Sequence, residues 1–261
     1  MFARRLAALT LVCLGSSCSQ SDLGFSIPFT ATWNGTPIDC GSTSPALTDL
    51  RFYVSDVQLV DSSGKARDIR FATEMPWQND AVALIDLEDG TGACVNGTAA
   101  VTAEIIAVAP QRDYRGLRFT VGVPFRLNHL NPLMAKPPLD DSDMHWHWRS
   151  GYKFLRAGVR TANDGFWIHT GSAGCEGTVG NITGCRFPHR VEVLLQDFTP
   201  GQSVVNIDLA ALLAGTSLDD NLATNCSSGP PEATCVAPFA ALGIDFKSGT
   251  QNGSQHVFSA Q

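Results

Sequence analysis

The sequence predicts an all-β protein, an antiparallel β-sandwich or barrel-like domain with long loops, one short helix and disulfide staples. Three observations support this prediction. Apolar residues make up 44% of the 261 residues, which is enough for a sizeable core. Short alternating or apolar runs recur between turns, in a chain with 24 Gly and 14 Pro. Helix signals are sparse, so strands must supply most of the regular structure.

Residues 1–18 are predicted to be a signal peptide that ends in a lipobox. Two arginines precede the apolar run 6–15, which is too short for a permanent membrane span. Ser16-Ser17-Cys18 fits the end of a bacterial lipobox, which would attach a lipid to Cys18. Gly15 stands where Leu is usual, so an ordinary secreted precursor cleaved nearby is the alternative. We expect a protein of the periplasm or cell surface, anchored to the outer membrane.

The mature chain begins with a linker and first strand over residues 19–30, and residues 31–261 are interpreted as a single β domain. Phe25, Ile27 and Phe29 alternate with small or polar residues in that first strand. The run 50–60 also alternates, with a bulge predicted near Ser55-Asp56. Further strands are predicted over residues 82–87, 101–108, 117–123, 143–152, 186–195 and 203–209.

One short helix is predicted near residues 208–214, where an Ala- and Leu-rich run follows Asp208 and ends at Gly215. The tail from residue 218 to 261 is rich in Gly, Ser and Asn. It is predicted to be irregular, with a final strand near residues 256–258.

Cysteine usage predicts disulfides, because an exported protein meets an oxidising compartment. Six of the eight cysteines lie beyond the N-terminal segment and leave several connectivities open. Sequence proximity favours Cys175–Cys185 and Cys226–Cys235, which leaves Cys40–Cys94 by elimination. A thiolate metal site is the rival interpretation, although no C-x-x-C spacing occurs.

Charge and motifs argue against several function classes. The formal net charge is −7, and basic residues are scattered, so the chain does not resemble a nucleic-acid binder. The sequence has no G-x-S-x-G elbow, no H-E-x-x-H and no C-x-x-C-H. Enzymatic activity is therefore not expected, and the chain carries no c-type haem.

The stretch DMHWHWRSGY, residues 143–152, concentrates histidine and tryptophan. Read as one strand, it places Met144, Trp146 and Trp148 on one face and His145 and His147 on the other. Two histidines at this spacing can bind one metal, whereas a Trp pair is typical of a core. Imidazole and thioether ligands suit copper, so these residues are candidate ligands. The alternative is a calcium site in the acidic run 140–143, which lacks the pattern of an EF-hand loop.

Several stretches together resemble one family, the MbnP-like proteins, also described as the four-Cys proteins of a metallo-mystery pair. They are LTDLRFYVSDVQLV (47–60), VALIDLEDGTGAC (82–94), YRGLRFTVGVPFRLNH (114–129), DMHWHWRSGYKFLR (143–156), FWIHTGSAGC (166–175) and VVNIDLAALLAG (204–215).

The resemblance implies an exported copper-binding protein that is partnered by a dihaem protein of the cytochrome c peroxidase (MbnH) type. That partner is understood to oxidise a tryptophan of the MbnP-like protein to kynurenine. The family pattern matches His129 and His169, which become the first candidate copper ligands. Trp146 is the first candidate for modification and Trp148 the second. His145 and His147 stand at variable positions of the pattern, and the family's four cysteines match Cys40, Cys94, Cys175 and Cys185.

A different class of function is also open. The aromatic stretch can be core and the histidines incidental, in which case the protein is a surface lipoprotein that acts as a structural or interaction module without metal. Copper titration of the apo protein separates the two hypotheses.

Overall fold

The computed structural model describes residues 21–73, 75–162, 165–218, 225–229 and 232–261. The predicted signal peptide and Cys18 lie outside these residues. The strands are β1 Asp22–Trp33, β2 Thr36–Pro37, β3 Ala46–Asp61, β4 Ala66–Asp68, β5 Arg70–Phe71, β6 Val82–Asp86, β7 Glu104–Pro110, β8 Tyr114–Val121, β9 His145–His147, β10 Gly151–Arg160, β11 Gly165–Gly171, β12 Ala173–Thr178, β13 Asn181–Phe187, β14 Val191–Leu195, β15 Val205–Asp208, β16 Cys226–Ser227, β17 Ile244–Asp245, β18 Thr250–Gln251 and β19 Phe258–Ala260. The helices are α1 Phe125–Asn128, α2 Leu209–Leu212 and α3 Val236–Ala241.

Two curled sheets form the main body. One has the order β19-β15-β1-β7-β5 with β2 beside β1, and the other has the order β14-β8-β3-β10-β11-β16. In the second sheet β4 and β6 pair with β3, and β9 pairs with β10. Most pairs are antiparallel, but β1–β15 and β11–β16 are parallel. The prediction of an all-β fold of sandwich or half-barrel type is confirmed.

Four phenylalanines join the two sheets face to face. Phe29 of β1 contacts Phe52 of β3 and Phe119 of β8 edge-on, with ring centroids 5.6 and 6.1 Å apart. Phe258 of β19 contacts the same two rings at 5.9 and 5.7 Å. Edge-to-face pairs of this kind stabilise a core beyond the area they bury. The alternation of apolar residues along β1 and β3 produces this packing.

A second, smaller core lies on the other face of the larger sheet and positions the candidate site. Residues from β3, β6 and β10 are covered there by the segment between β8 and β9. Its members are Tyr53, Val82, Leu84, Val123, Leu139, Met144, Tyr152 and Phe154. Tyr53 and Tyr152 donate hydrogen bonds to the carbonyls of Pro138 and Leu139, so the long segment is tied to the sheet.

The structure confirms several local predictions. The bulge lies in β3, where the register with β8 shifts between Ser55 and Gln58 and Asp56 has φ 51°. The predicted short helix is α2, and Asp208 caps it by accepting hydrogen bonds from the N–H groups of Ala210 and Ala211. The sequence signals missed α1 and α3, which are both short.

Three disulfides staple the fold, as predicted. None of the six sulfurs is therefore a thiolate, and the rival interpretation as a resting thiolate site is wrong. The pairs are Cys40–Cys94, Cys175–Cys185 and Cys226–Cys235. Within the described residues, no helix is long and apolar enough to cross a membrane.

Candidate metal centre

The stretch 143–152 is not one strand. β9 ends at His147, residues 148–150 form a turn, and β10 begins at Gly151 and pairs back with β9. Gly151 has φ 77°, and a Cβ there would lie 2.1 Å from the carbonyl oxygen of Asn128, so the turn requires glycine. The predicted alternation through Trp148 and Arg149 is therefore wrong, because the chain reverses before it reaches them.

His147 stabilises this turn. Its Nδ1 accepts a hydrogen bond from the N–H of Arg149 at 3.1 Å, and its Nε2 lies 3.3 Å from the hydroxyl of Ser150. The guanidinium of Arg149 lies 5.0 Å from the ring centroid of Trp148. His147 is exposed, and both of its ring nitrogens face groups within the turn itself.

His129 follows α1 and faces the same turn from the other side. Its Nδ1 lies 3.3 Å from the carbonyl oxygen of Trp148. A carbonyl can only accept, so Nδ1 carries the proton and Nε2 keeps its lone pair. Metal-binding histidines use this arrangement, in which the second ring nitrogen donates to a fixed carbonyl. Burial lowers the pKa of His129, against a smaller opposing effect of the Trp148 hydrogen bond, which leaves the imidazole neutral at pH 7.

Asn128 connects α1 to the turn and was missed by the sequence analysis as a site residue. It is fully buried, its Oδ1 accepts the N–H of Tyr152 at 3.0 Å, and its amide lies 3.4 Å from the carbonyl of Ser150. The same amide lies 3.4 Å from Nε2 of His129. The buried Asn therefore fixes the imidazole relative to β10.

Trp146 packs against β11 at Gly171. A Cβ built at Gly171 would lie 2.6 Å from Cζ3 of the indole, so the ring occupies the space that a side chain would need. Side chains two residues apart on a strand share a face, which places Trp146 on the face of β11 that also carries His169. The indole and this candidate ligand thus lie on one surface of the sheet.

His169 stacks on Trp167, with ring centroids 4.4 Å apart and an interplanar angle of 31°. It is opposite Arg156 of β10 in the register. Burial, with a smaller contribution in the same direction from the nearby cations Arg156 and Lys153, lowers the pKa of His169 to about 3. The imidazole of His169 is neutral, and its cationic neighbours oppose the approach of any further positive charge.

His145 is half-buried, and Met144 lies deeper. The imidazole of His145 meets the ring of Tyr152 edge-on at 5.0 Å, and its Nε2 is buried without a hydrogen-bond partner. Burial lowers the pKa of His145, with further contributions from His147, Lys153 and His129. An orphaned ring nitrogen fits a metal ligand. Met144 is completely buried in the second core.

Within the described residues, the histidines do not form one compact ligand set, either with one another or with any carboxylate. In the described part of the chain, a single group of three possible ligand side chains has all its donor atoms within 4.8 Å, and it contains His129, Cys175 and Cys185. The acidic run 140–143 does not form such a group. Asp141 instead accepts hydrogen bonds from the N–H groups of Asp143 and Met144, as in an ordinary turn.

Comparison with known proteins decides the family. The family model described as MbnP matches residues 22–229. The chain belongs to the MbnP family. A search of solved structures found MbnP from Methylosinus trichosporium, which is 26% identical at a TM-score of 0.79. The match covers 92% of this chain and 98% of that chain. No curated protein matches the chain. The resemblance inferred from the sequence motifs is confirmed, and this MbnP family member shares the solved protein's fold along nearly its whole length.

Proposed function

We propose that this protein is an exported copper-binding protein and that one of its tryptophans is oxidised to kynurenine by a dihaem partner of the cytochrome c peroxidase type. The observation that carries the proposal is that the tryptophan segment contacts His129 and packs on the strand that carries His169. The carbonyl of Trp148 meets Nδ1 of His129, and the ring of Trp146 lies on the face of β11 that carries His169. Membership in the MbnP family supports a role in the copper system.

The candidate copper ligands of this chain include neutral imidazoles, although the described residues do not bring three of these imidazoles within 4.8 Å of one another. His129, His145 and His169 all have pKa values lowered by burial, so each can donate a lone pair at neutral pH. Copper bound there would meet the nitrogen donors that it favours. We place His129 first among the ligands, because a fixed carbonyl holds its tautomer.

Oxidation of Trp146 would change what this surface offers a metal. Indole has only an N–H donor, whereas opening of its five-membered ring gives an aryl amine and a ketone oxygen. Trp146 is half-buried rather than enclosed, so it is accessible near the surface. The ring packs on β11 at Gly171, which would hold the product in place.

Copper titration of the apo protein tests the binding part. We expect His129→Ala to weaken copper binding by about tenfold or more and His169→Ala to weaken it as well, since each removes a donor. His256→Ala is the matched control, because that histidine is exposed and lies just before β19. Wild-type affinity in both ligand variants would show that the ligand assignment is wrong.

Peptide mass spectrometry tests the modification. The protein is produced with and without a dihaem partner, and peptides that contain Trp146 and Trp148 are compared. We expect the five-membered ring of Trp146 to open in a four-electron oxidation, with the haems of the partner as electron acceptor and water as the source of oxygen. One carbon leaves as formate and one ketone oxygen is gained, and Trp146→Phe should abolish this mass change. Modification that persists in Trp146→Phe but not in Trp148→Phe would assign the reaction to the second candidate. Unmodified peptides in the presence of an active partner would contradict this part of the proposal.

A further inference from the structure

The disulfide Cys175–Cys185 lies directly beside His129. Nε2 of His129 is 3.6 Å from Sγ of Cys185, and the donor atoms of all three residues lie within 4.8 Å of one another. β12 and β13 place the two cysteines opposite each other in register. α1 and the turn after β9 bring the imidazole to them, although the histidine is 46 residues earlier than Cys175 in the chain.

The atom that faces the sulfurs is the right one for a ligand. Nδ1 of His129 donates to the carbonyl of Trp148, so the nitrogen beside the disulfide, Nε2, is the one with the lone pair, which the amide of Asn128 also approaches at 3.4 Å. In a tetrahedral site with nitrogen and sulfur ligands, bond lengths of about 2.0 and 2.3 Å place the two ligand atoms about 3.6 Å apart. The observed nitrogen–sulfur distance matches this spacing before any movement.

The disulfide can be opened without disturbing either core. β12 and β13 form a separate two-stranded sheet outside the two main sheets. Cys185 is half-buried, whereas the other five disulfide-bonded cysteines are buried. Accessibility governs which disulfide exchanges with an external thiol, so this pair is the first of the three that a reductant can reach.

We propose that Cys175, Cys185 and His129 form a redox-gated site for a soft metal ion, Cu(I) in particular. In the oxidised protein only the imidazole donates. A dithiol reductant gives two electrons and two protons, the sulfur–sulfur bond breaks, and the dithiol becomes a disulfide. Two thiols then flank Nε2, and Cu(I) binds as thiolates form and their protons pass to solvent. Thiolate and imidazole ligands select Cu(I) and exclude hard cations.

This proposal rests on the proposed function, because both assign His129 as a copper ligand. It adds a second, reduced state in which the two cysteines also bind the metal. Oxidised protein would hold copper weakly through imidazoles, and reduced protein would hold it through sulfur. The disulfide would thus set copper affinity according to the redox state of the compartment. The sulfur chemistry does not involve tryptophan, so modification of Trp146 is not required.

The experiment compares Cu(I) binding by oxidised and reduced forms of the full mature chain. The protein is reduced anaerobically with dithiothreitol, the reductant is removed by gel filtration, and free thiols are counted. Cu(I) affinity is measured by competition with a chromophoric chelator. We expect reduced protein to bind Cu(I) at least about tenfold more tightly and to show a thiolate-to-copper charge-transfer band in the ultraviolet.

Two variants make the result specific. Cys175→Ser combined with Cys185→Ser should remove the gain on reduction and the ultraviolet band, while the other two disulfides remain. His129→Gln should reduce the gain and keep the band. If the double variant does not fold, alkylation of the two reactive thiols in reduced wild-type protein replaces it. Equal affinity of the reduced and oxidised forms, or a full gain in the double variant, would overturn the proposal.

The two proposals fail in different ways. If the oxidised protein binds copper through His129 and reduction adds nothing, the redox-gated site is wrong and the proposed function stands. If only the reduced protein binds Cu(I), the redox-gated site stands, and copper binding by the imidazoles of the oxidised protein is wrong.

Discussion

Gly171 is the residue at which β11 makes room for Trp146. A Cβ there would meet the indole at 2.6 Å and the carbonyl oxygen of Tyr152 at 2.7 Å. The second neighbour is backbone, so it cannot rotate away. The glycine is therefore required by packing rather than by its backbone angles. Because Gly171 lies two residues after His169 on β11, the tryptophan that packs at Gly171 lies on the same face of the strand as His169.

Gly171→Ala should destabilise the protein by about 1–3 kcal/mol, because the added methyl group overpacks a filled site. Displacement of the indole should also lower the yield of modified Trp146 peptide when a dihaem partner is present. Urea unfolding measures the first effect and peptide mass spectrometry the second. Gly184→Ala is the matched control, since a Cβ there meets nothing within 4 Å. Equal stability of the two variants would contradict the packing argument.

At the scale of the element, the hairpin of β9 and β10 depends on Asn128. Its side chain accepts the N–H of Tyr152 and lies close to the carbonyl of Ser150, so one buried amide connects α1 to the hairpin. His129 is the next residue in the chain after Asn128. Any change at Asn128 should therefore affect both the hairpin and the candidate ligand.

Asn128→Ala should lower the free energy of unfolding by about 1–3 kcal/mol, because it leaves the buried N–H of Tyr152 unpaired. Copper affinity should fall in the same variant, since the imidazole loses its neighbouring support. Chemical denaturation and copper titration measure the two effects. Asn131→Ala is the control, because Asn131 is exposed and only accepts the N–H of Leu133. A variant with wild-type stability would show that the amide does not hold the hairpin.

The elements also show where sequence patterns suffice. Alternation along β1 and β3, the Asp208 cap and the spacing of the cysteines depend on local chemistry, and the structure has these features as expected. The stretch 143–152 differs because Gly151 takes a positive φ that alternation does not reveal. The contact between His129 and Cys185 joins residues 56 apart, and no local pattern encodes it.

At the scale of the whole molecule, two buried ionisable groups make stability depend on pH in opposite directions. His189 is completely buried, its Nδ1 donates to the carbonyl of Gly171 at 2.8 Å, and its Nε2 has no hydrogen-bond partner. Phe187, Phe239 and Phe246 surround the ring. Burial lowers the pKa of His189 from 6.5 to about 4, against a smaller opposing effect of the Gly171 hydrogen bond.

Asp86 has the opposite effect. Burial is the main cause that raises the pKa of Asp86 from 3.8 to about 7. The charges of Glu88 and Asp49 act in the same direction, and the N–H of Glu88 and the charge of Arg51 act against it. The folded protein therefore keeps a proton on Asp86 between pH 4 and pH 7 that the unfolded chain releases. Its contribution to stability decreases as the pH rises through that range.

For His189 the unfolded chain binds a proton between pH 6.5 and pH 4 that the folded protein does not, so its contribution to stability decreases as the pH falls. The full effect is on the order of 3 kcal/mol.

His189→Asn removes the titration and tolerates the φ of 50° at this position. We expect its free energy of unfolding to fall less than that of wild type between pH 7 and pH 4.5, whatever its absolute value, as measured by urea denaturation. Asp86→Asn should shift the pH dependence the other way, because the effect of His189 is then less opposed. Parallel pH profiles for wild type and His189→Asn would show that the buried imidazole is not linked to folding.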